Sequence, residues 1–233
     1  MKLQERTVMI TGAAGHLGKA AAEAFRQAGA RLVLLDRQTE ALQRAFDRSP
    51  ETILIGADLL DRVQLRARVE EGLAGVGNLH VLCHVAGGFR MGEPVHAISP
   101  ETWNFMVDLN ARAFLNIASV VVPRMIEQGS GKVVTIGAGA ALRGMAQMGA
   151  YCASKSALIR LTESMSAELK EKNINVNCVL PSIIDTPDNR SAMPDADTSR
   201  WVAPQALADV MVFLSSDAAR AIHGASIPVA GLA

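Results

Sequence analysis

One tyrosine–lysine pair has the residue types and spacing for acid–base chemistry. Tyr151, the single tyrosine of the chain, is followed four residues later by Lys155. On a helix, residues four apart share a face. A free phenol titrates near ~10, whereas a neighbouring ammonium favours the phenolate and lowers its pKa. We expect the pair to give a proton to a carbonyl oxygen while hydride arrives at the carbonyl carbon.

A glycine-rich turn near the N-terminus has the composition of a diphosphate site. It follows the apolar run Thr7–Ile10 and precedes an Ala-rich helical stretch. Glycines at this place let the backbone approach a diphosphate, and the helix N-terminus presents free N–H groups to it. The spacing G-x-x-G-x-x-G is not the literal G-x-G-x-x-G, so the position between first strand and first helix carries the prediction. The predicted members are Gly12, Gly15, His16, Leu17 and Gly18.

A carboxylate stands where a dinucleotide would place its adenosine ribose. Asp36 closes the second apolar run, 18 residues beyond Gly18. There it can accept hydrogen bonds from the ribose hydroxyls, and its charge would repel a 2′-phosphate. We therefore expect NAD as the cofactor, with NADP as the alternative because Arg37 can pair with a phosphate. The competing interpretation is that Asp36 is an ordinary solvated loop acid.

Short apolar runs alternate with longer amphipathic stretches along the chain. The runs are continuously apolar, as expected when helices cover both faces of a parallel sheet. The pattern predicts an α/β fold: a single doubly wound Rossmann domain with a mostly parallel, seven-stranded sheet and helices on both faces. The predicted strands are Thr7–Ile10, Arg31–Leu35, Thr52–Gly56, Leu79–His84, Lys132–Ile136, Ile174–Leu180 and Ala225–Val229. The predicted helices are 16–28, 38–47, 60–74, 101–128, 149–172 and 204–215.

Composition excludes several functional classes. The 233 residues are 49% hydrophobic and 20% charged, which is ample for one domain (1–233) and excludes a disordered chain. Basic and acidic side chains balance at 23 each and aromatics make up 4%, so we expect no nucleic-acid partner. No aliphatic run approaches the ~20 residues of a membrane span, and no secretory pattern is present, so we expect no membrane partner.

Cysteines and histidines give no sign of a metal or disulfide framework. Cys83, Cys152 and Cys178 are far apart, and the five histidines lack ligand spacing. We expect buried thiols, no metal site and a reducing, cytoplasmic location. One segment, 181–200, is rich in Pro and Asp and has no periodicity, so it is predicted to be a functional loop. The substrate loop is expected at about 181–203.

From Thr7 to about Ala230 the chain resembles a short-chain dehydrogenase/reductase. The resemblance rests on the glycine turn, on Val85-Ala86-Gly87, on Asn110 in Asp108-Leu109-Asn110, and on Tyr151 with Lys155. It implies an NAD(P)-dependent oxidoreductase acting on a carbonyl/alcohol pair or an imine-like substrate. Tyr151, Lys155 and Asn110 would be catalytic. Further cofactor contacts would come from Asp58, Leu59, Ala86, Gly87, Pro181, Ile184 and Thr186, besides Tyr151 and Lys155.

Two positions depart from the family pattern. His84 replaces an asparagine, and packing or a backbone hydrogen bond is its expected role. Ala138 stands thirteen residues before Tyr151, where the family has a substrate-orienting serine. Losing one donor to an oxyanion costs ~10²–10³ in rate. Either the enzyme is slow, Ser182 or Gln147 substitutes, or the substrate needs no such donor. The predicted substrate contacts are Ala138, Gln147, Met148 and Ser182.

A branch of the family fits the last option. The runs 137–142 and 85–89 are similar to those of dihydropteridine reductases, and so is the loop 180–201. Asn110 follows the general family pattern instead. The alternative activity is therefore NADH-dependent reduction of a quinonoid dihydropterin. An alternative from another class is a non-catalytic dinucleotide sensor, which Tyr151 and Lys155 disfavour.

The resemblance also implies an assembly. Helices 101–128 and 149–172 are long and rather apolar, as if both faces were buried. In the family such helices pair as a four-helix interface, so a homodimer or homotetramer through them is expected. Phe89, Met91, Met145 and Met148 lie in loops expected at the carboxyl ends of the strands. They are predicted either to line an apolar substrate pocket or to pack the rim or a subunit contact.

Overall fold

Seven parallel strands form one sheet. The computed structural model describes residues 2–232. The strands are β1 (Thr7–Thr11), β2 (Arg31–Asp36), β3 (Thr52–Gly56), β4 (Val81–His84), β5 (Gly131–Ile136), β6 (Ile174–Pro181) and β7 (Ser226–Val229). Their order is β3-β2-β1-β4-β5-β6-β7, and every neighbouring pair is parallel. The predicted doubly wound fold is confirmed.

Helices connect successive strands. They are α1 (His16–Gln27), α2 (Thr39–Ala45), α3 (Arg62–Gly72), α4 (Pro100–Val107), α5 (Ala113–Gln128), α6 (Gly149–Leu169), α7 (Pro187–Ala192) and α8 (Pro204–Leu214). Ser99 caps α4 by accepting the Thr102 N–H, and Pro100 occupies its first turn, where a missing N–H costs nothing.

The sheet separates two apolar cores. Along β1, Val8 and Ile10 face one core with Phe25 of α1, whereas Met9 faces the other core with Phe114 of α5. All five side chains are fully buried. Burying such a side chain stabilises the fold by roughly 1.5–3 kcal/mol. Because both faces are covered, every residue of β1 is buried, which explains its continuous apolar run.

Most predicted elements shift by one to three residues at an end, and two differences have a specific structural cause. The strand predicted from Leu79 begins at Val81, since the backbone N–H and C=O of Leu79 bond the Gln128 side chain instead of a strand. The helix predicted over 101–128 is interrupted by a π-helical turn at Asp108–Arg112. Such bulges occur mostly at functional sites.

The segment 181–200 is not structureless, which corrects the loop prediction. It contains α7, whose N-cap Thr186 accepts the Asn189 N–H at 3.2 Å while Pro187 fills the first turn. Asn189 donates to the Ile184 carbonyl at 2.8 Å, and Arg190 pairs with Asp185. The cap-and-proline signal was present in the sequence but was outweighed by the lack of periodicity.

The strand order reverses between β1 and β4. Thr11 pairs with Leu35 of β2 on one side and with His84 of β4 on the other. In open α/β sheets, ligands bind outside the carboxyl ends of the strands at such a switch point. The fold therefore places the candidate site at the ends of β1 and β4.

One helical stretch meets the length and composition of a membrane span. Within residues 2–232 it is Pro100–Gln128, with a mean hydropathy of 1.4 and half of its apolar window buried. The core helix of a soluble protein meets the same test. Phe114, Ile117 and Val121 of α5 pack against the sheet, so burial in this fold accounts for the apolar composition.

Candidate active site

A cleft of about 610 Å³ opens at the switch point. Most predicted cofactor contacts line it: Gly12, Gly15, His16, Leu17, Gly18, Asp36, Arg37, Asp58, Leu59, Ala86, Gly87 and Thr186. Eight further residues line the cleft that were not predicted as site residues: Leu35, Ala57, Leu60, Val85, Phe105, Asp108, Leu109 and Asp188. Five of these (Leu35, Ala57, Leu60, Val85 and Leu109) adjoin predicted residues, so their neighbours in the sequence could have indicated them. The others needed the three-dimensional course of α4, of its π-helical turn and of α7.

The glycine turn is shaped by close backbone approach. Gly12 has φ of +66°, and a Cβ there would lie 2.8 Å from Ala86 Cα. A Cβ on Gly18 would overlap the Gly12 carbonyl and lie 2.7 Å from Ala13 Cα. Helix α1 begins after Gly15 and has no side-chain cap. Its first N–H groups are therefore free to bind a diphosphate, so the turn fits a dinucleotide.

Asp36 connects the ribose position to this turn. Its Oδ2 accepts the Ala14 N–H at 3.0 Å, and its Oδ1 accepts the Gln38 N–H at 3.3 Å. The carboxylate is thereby held at the end of β2 on the wall of the cleft. A fixed acceptor with negative charge suits the two ribose hydroxyls. Arg37 lines the same wall and is exposed.

The loop after β3 is fixed by two further hydrogen bonds. Asp58 Oδ1 accepts the Leu60 N–H at 2.8 Å. The Leu59 carbonyl accepts Asn116 Nδ2 of α5, also at 2.8 Å. Both Asp58 and Leu59 face the cleft, where the family resemblance places the adenine ring.

Asn110 is the centre of a buried polar network. It lies in the π-helical turn and is fully buried. Its Oδ1 accepts the Gly88 N–H at 2.9 Å, and its Nδ2 donates to the Gly88 carbonyl and to Ser154 Oγ at 3.1 and 3.0 Å. Ser154 Oγ donates to the Tyr151 carbonyl at 2.9 Å. Asn110 thus connects the loop after β4 to helix α6.

Lys155 converges on the same glycine-rich loop. Its Nζ donates to the Ile136 carbonyl at 2.7 Å, and the side chain is buried. A Cβ on Gly87 would lie 2.9 Å from Lys155 Nζ and 3.0 Å from Asn110 Oδ1. Only glycine leaves room at this point. Desolvation by burial lowers the pKa of Lys155 to about 8.

Tyr151 lies one helical turn before Lys155 and is surrounded by apolar groups. It packs against the cluster of Ala138, Ala141, Ile159, Cys178 and Leu180. Desolvation raises the pKa of Tyr151 to about 12, and the Cys152 thiol adds to the effect. From the sequence alone, the neighbouring ammonium is expected to lower this pKa. In the structure burial dominates, so the phenol keeps its proton and can donate it.

The predicted substrate contacts differ in their burial and in the hydrogen bonds that they already make. Ala138 is buried, with 4% of its surface exposed. Ser182 Oγ donates its hydrogen to the Ala230 carbonyl at 2.7 Å, so it is not free to replace the family serine. Gln147 is exposed and has φ of +60°. Its backbone carbonyl accepts the Gly92 N–H at 2.9 Å. Met148 is the N-cap of α6.

The last predicted cofactor contacts lie beyond β6. Pro181 ends that strand, and Ile184 forms a bridge with Val202. Thr186 caps α7 and lines the cleft. Pro181 and Ile184 lie outside the cleft wall as the described residues define it.

His84 has a more specific environment than the sequence indicated. It is fully buried, and its Nδ1 bonds Thr11 Oγ1 at 2.9 Å. Thr11 Oγ1 also accepts the Ala86 N–H at 3.3 Å. The centroid of the His84 ring lies 5.4 Å from that of the Phe114 ring. Desolvation, with a contribution from the Lys155 charge, lowers the pKa of His84 to about 3, so the imidazole is neutral.

The cysteines are free and buried, as predicted. Among residues 2–232, no three His, Cys, Asp or Glu side chains are close enough together to hold a metal ion.

Comparisons with known proteins agree with this geometry. The family described as short chain dehydrogenase matches residues 6–197. The 3-oxoacyl-[acyl-carrier-protein] reductase FabG of Thermotoga maritima is 30% identical over 99% of this chain and 98% of its own length. A gluconate 5-dehydrogenase from Burkholderia cenocepacia, in complex with NADP and tartrate, superposes with a TM-score of 0.89 at 28% identity, covering 99% of this chain and 95% of that one.

A third comparison has bound NAD. It is a 3-oxoacyl-[acyl-carrier protein] reductase from Brucella melitensis, with a TM-score of 0.87 and 27% identity over 99% of this chain and 91% of that one. The family match, the fold and the position of the cleft all lead to the same conclusion. The chain is therefore an NAD(P)-dependent oxidoreductase and belongs to the short-chain dehydrogenase/reductase family.

Proposed function

We propose that the enzyme transfers hydride between nicotinamide and a carbonyl/alcohol or imine-like substrate, with Tyr151 as the acid–base group. The observation that carries this proposal is the convergence of Asn110 and Lys155 on the loop of Gly87 and Gly88, with Tyr151 one helical turn before Lys155. Gly87 lines the cleft. A phenol at this edge can reach a substrate held over the cofactor. Its raised pKa keeps the proton available in the reductive direction.

Each residue has a separate role. A dinucleotide held in the cleft would supply the hydride chemistry at the substrate carbon. Tyr151 donates its proton to the oxygen or nitrogen that receives the π electrons. Lys155 is buried beside the loop after β4. Its Nζ would stabilise the phenolate that Tyr151 becomes, by positive charge or by hydrogen bonding. Asn110 fixes the loop and α6 relative to each other, which is why its amide bonds both.

We propose NADH as the preferred cofactor. Asp36 is held by two backbone N–H groups at the ribose position, so its charge cannot turn away from a 2′-phosphate. Arg37 is exposed and is free to reduce the preference.

Tyr151→Phe tests the acid–base assignment. The change removes only the phenolic proton, so we expect turnover to fall by ~10²–10⁴-fold. NADH affinity should stay nearly unchanged, and NADPH should bind more weakly than NADH to both proteins. Stopped-flow turnover and fluorescence titration of the two cofactors measure these effects. Retained turnover would remove Tyr151 from the mechanism, and tighter NADPH binding would mean that Arg37 dominates over Asp36.

A second candidate activity is reduction of a quinonoid dihydropterin with NADH. The observation that favours it is Ala138, buried against the Tyr151 cluster where a hydroxyl would polarise a carbonyl. A quinonoid ring is already electron-poor, so hydride transfer depends less on that second donor. Turnover of a quinonoid dihydropterin against a ketone panel discriminates the two. The dinucleotide-sensor alternative is not proposed, because the chain belongs to an enzyme family and carries both Tyr151 and Lys155.

We further propose that residues 1–233 act as a single cytoplasmic domain and assemble as a homodimer or homotetramer. The balance of 23 basic and 23 acidic side chains supports a small-molecule substrate in preference to nucleic acid. The long helices α5 and α6 support the assembly, and its test is given in the Discussion.

A further inference from the structure

Two segments that meet around Tyr151 have almost no hydrogen-bonding side chains. They are 85–92, after β4, and 137–150, from the end of β5 into the first turn of α6. Neither contains Ser, Thr, Asp, Glu, Asn or Lys. Their polar side chains are Arg90, Arg143 and Gln147. We call these segments the mouth loops.

The mouth loops are joined to each other and to the catalytic tyrosine. The ring of Phe89 meets that of Tyr151 edge to face, with centroids 4.8 Å apart and an interplanar angle of 84°. The Gly92 N–H donates to the Gln147 carbonyl at 2.9 Å. Gln147 adopts a left-handed backbone that is unfavourable for a non-glycine residue, and such strain clusters at functional sites. A substrate that reaches Tyr151 must therefore pass these two loops.

The mouth loops leave large apolar side chains exposed. Phe89, Met91, Leu142 and Met145 are 52%, 56%, 61% and 41% exposed. A group of exposed apolar side chains next to a reactive phenol is typical of a binding site for an apolar ligand. Methionines adapt their shape and make favourable contacts with aromatic rings.

Two nearby polar side chains, Arg90 and Ser182, are already engaged, whereas Arg143 and Gln147 are exposed. The Arg90 guanidinium stacks 3.9 Å above the Phe105 ring and lies 3.5 Å from a Glu101 carboxylate oxygen. Ser182 donates to the Ala230 carbonyl. Hydroxyl groups of a sugar-like substrate would leave water without gaining partners from these side chains, which disfavours their binding.

We propose that the substrate is a planar ring compound that carries a reducible C=O or C=N group and no hydroxyl chain. The ring would pack against Phe89 and the methionine side chains, with its acceptor atom at the Tyr151 hydroxyl. This specificity rests on the proposed oxidoreductase function, since it assigns the substrate class of the same site. Phe89 is its specificity-determining residue.

A substrate panel tests the ring preference. NADH oxidation by the full-length enzyme is measured with 1-indanone as the planar ring ketone, with xylulose as a hydroxylated chain, and with an acetoacetyl thioester. We expect kcat/KM for 1-indanone to exceed both others by roughly 10–200-fold. A higher kcat/KM for xylulose would overturn the inference. So would a preference for the thioester, whose chain could use the exposed Arg143.

Variants of Phe89 separate ring contact from general folding effects. Phe89→Ala should raise KM for 1-indanone about tenfold with little change in kcat, and Phe89→Leu should give an intermediate KM. Val63→Ala, at an 83% exposed apolar residue of α3, is the matched control and should change neither parameter. An unchanged KM in Phe89→Ala overturns the inference while leaving the oxidoreductase function in place. If no carbonyl compound supports Tyr151-dependent NADH oxidation, the proposed function fails as well.

Discussion

At the scale of single residues, the site combines three buried groups whose ionisation is set by desolvation. Burial raises the pKa of Tyr151 to about 12, and lowers those of Lys155 to about 8 and His84 to about 3. Each shift favours the neutral form. Without a bound cofactor the Tyr151 phenol therefore keeps its proton and the His84 ring is neutral, whereas Lys155, with a pKa of about 8, is positively charged at neutral pH.

Ala138→Ser discriminates between the candidate substrates. The hydroxyl would enter the apolar cluster beside Tyr151. For simple ketones it adds an oxyanion donor, so we expect a gain in kcat/KM that reaches at most ~10²-fold. For a quinonoid or iminium substrate the developing charge lies elsewhere, and an unpaired hydroxyl must be desolvated. There we expect a neutral or mildly harmful effect. Steady-state kinetics on both classes measures it, and a large gain on every substrate would contradict the dihydropterin candidate.

His84 makes stability depend on acid pH. Its folded pKa of about 3 lies below the ordinary value of 6.5, so the unfolded chain binds more protons between these values. The free energy of unfolding should therefore fall as pH drops below about 6.5, at no more than ~1.4 kcal/mol per pH unit. We expect His84→Asn to reduce the loss measured by urea unfolding at pH 7 and pH 5. His96→Gln, at an exposed histidine, should keep it. An equal loss in both variants would exclude His84 as the cause.

The sequence predicted residue types better than their local environments. Gly12 and Asp36 were predicted from their positions along the chain, Asp58 was implied by the family resemblance, and all three line the cleft. The sequence predicted a lowered pKa for Tyr151, whereas burial raises it. The burial of a side chain depends on packing from distant segments, which a local motif does not show. The His84–Thr11–Ala86 hydrogen bonds join residues 73 to 75 positions apart, and no local pattern indicates them.

At the scale of elements, the turn between β1 and α1 depends on glycine for space more than for flexibility. A Cβ on Gly18 would overlap the Gly12 carbonyl, in the turn predicted to bind the diphosphate. Overpacking of this kind typically costs about 1–3 kcal/mol. We expect Gly18→Ala to lower the free energy of unfolding by that amount and to weaken NADH binding.

Gly77→Ala is the matched control for this prediction, because nothing lies within 4 Å of its Cβ position. It should leave NADH binding unchanged. Urea unfolding and fluorescence titration measure both effects. Equal NADH affinity in Gly18→Ala and the native enzyme would show that the turn can expand.

Periodicity predicted the long elements and missed the short ones. Helices α1, α3 and α8 each bury an apolar face, so their pattern could be recognised. Helix α7 has six residues and buries none of them, and local capping by Thr186 holds it instead. The π-helical turn around Asn110 depends on the bonds of that side chain to Gly88 and Ser154. Such bonds follow from the fold and are not visible in a hydrophobic pattern.

At the scale of the whole molecule, the sheet brings together residues that are far apart in sequence. Gly12, Asn110 and Lys155 belong to three different strand–helix units, and the strand order gathers them at the β1–β4 switch point. The alternation of strands and helices along the sequence predicts a parallel sheet. Because parallel strands end at the same edge of a sheet, it also predicts that these residues lie close together.

The outer faces of α5 and α6 carry the expected assembly. Ala153 and Ala157 of α6 are exposed, and Leu115 of α5 is 46% exposed. Small side chains let helices of two copies approach closely, and a stable interface buries at least about 1,200 Å². We expect a dimer or tetramer, and Ala157→Arg should lower the oligomeric state by placing a long charged side chain at the contact. Val63→Arg on α3 should leave it unchanged. Sedimentation velocity at several concentrations measures the states; a monomeric native enzyme, or an Ala157→Arg variant of unchanged size, would contradict an interface at this face.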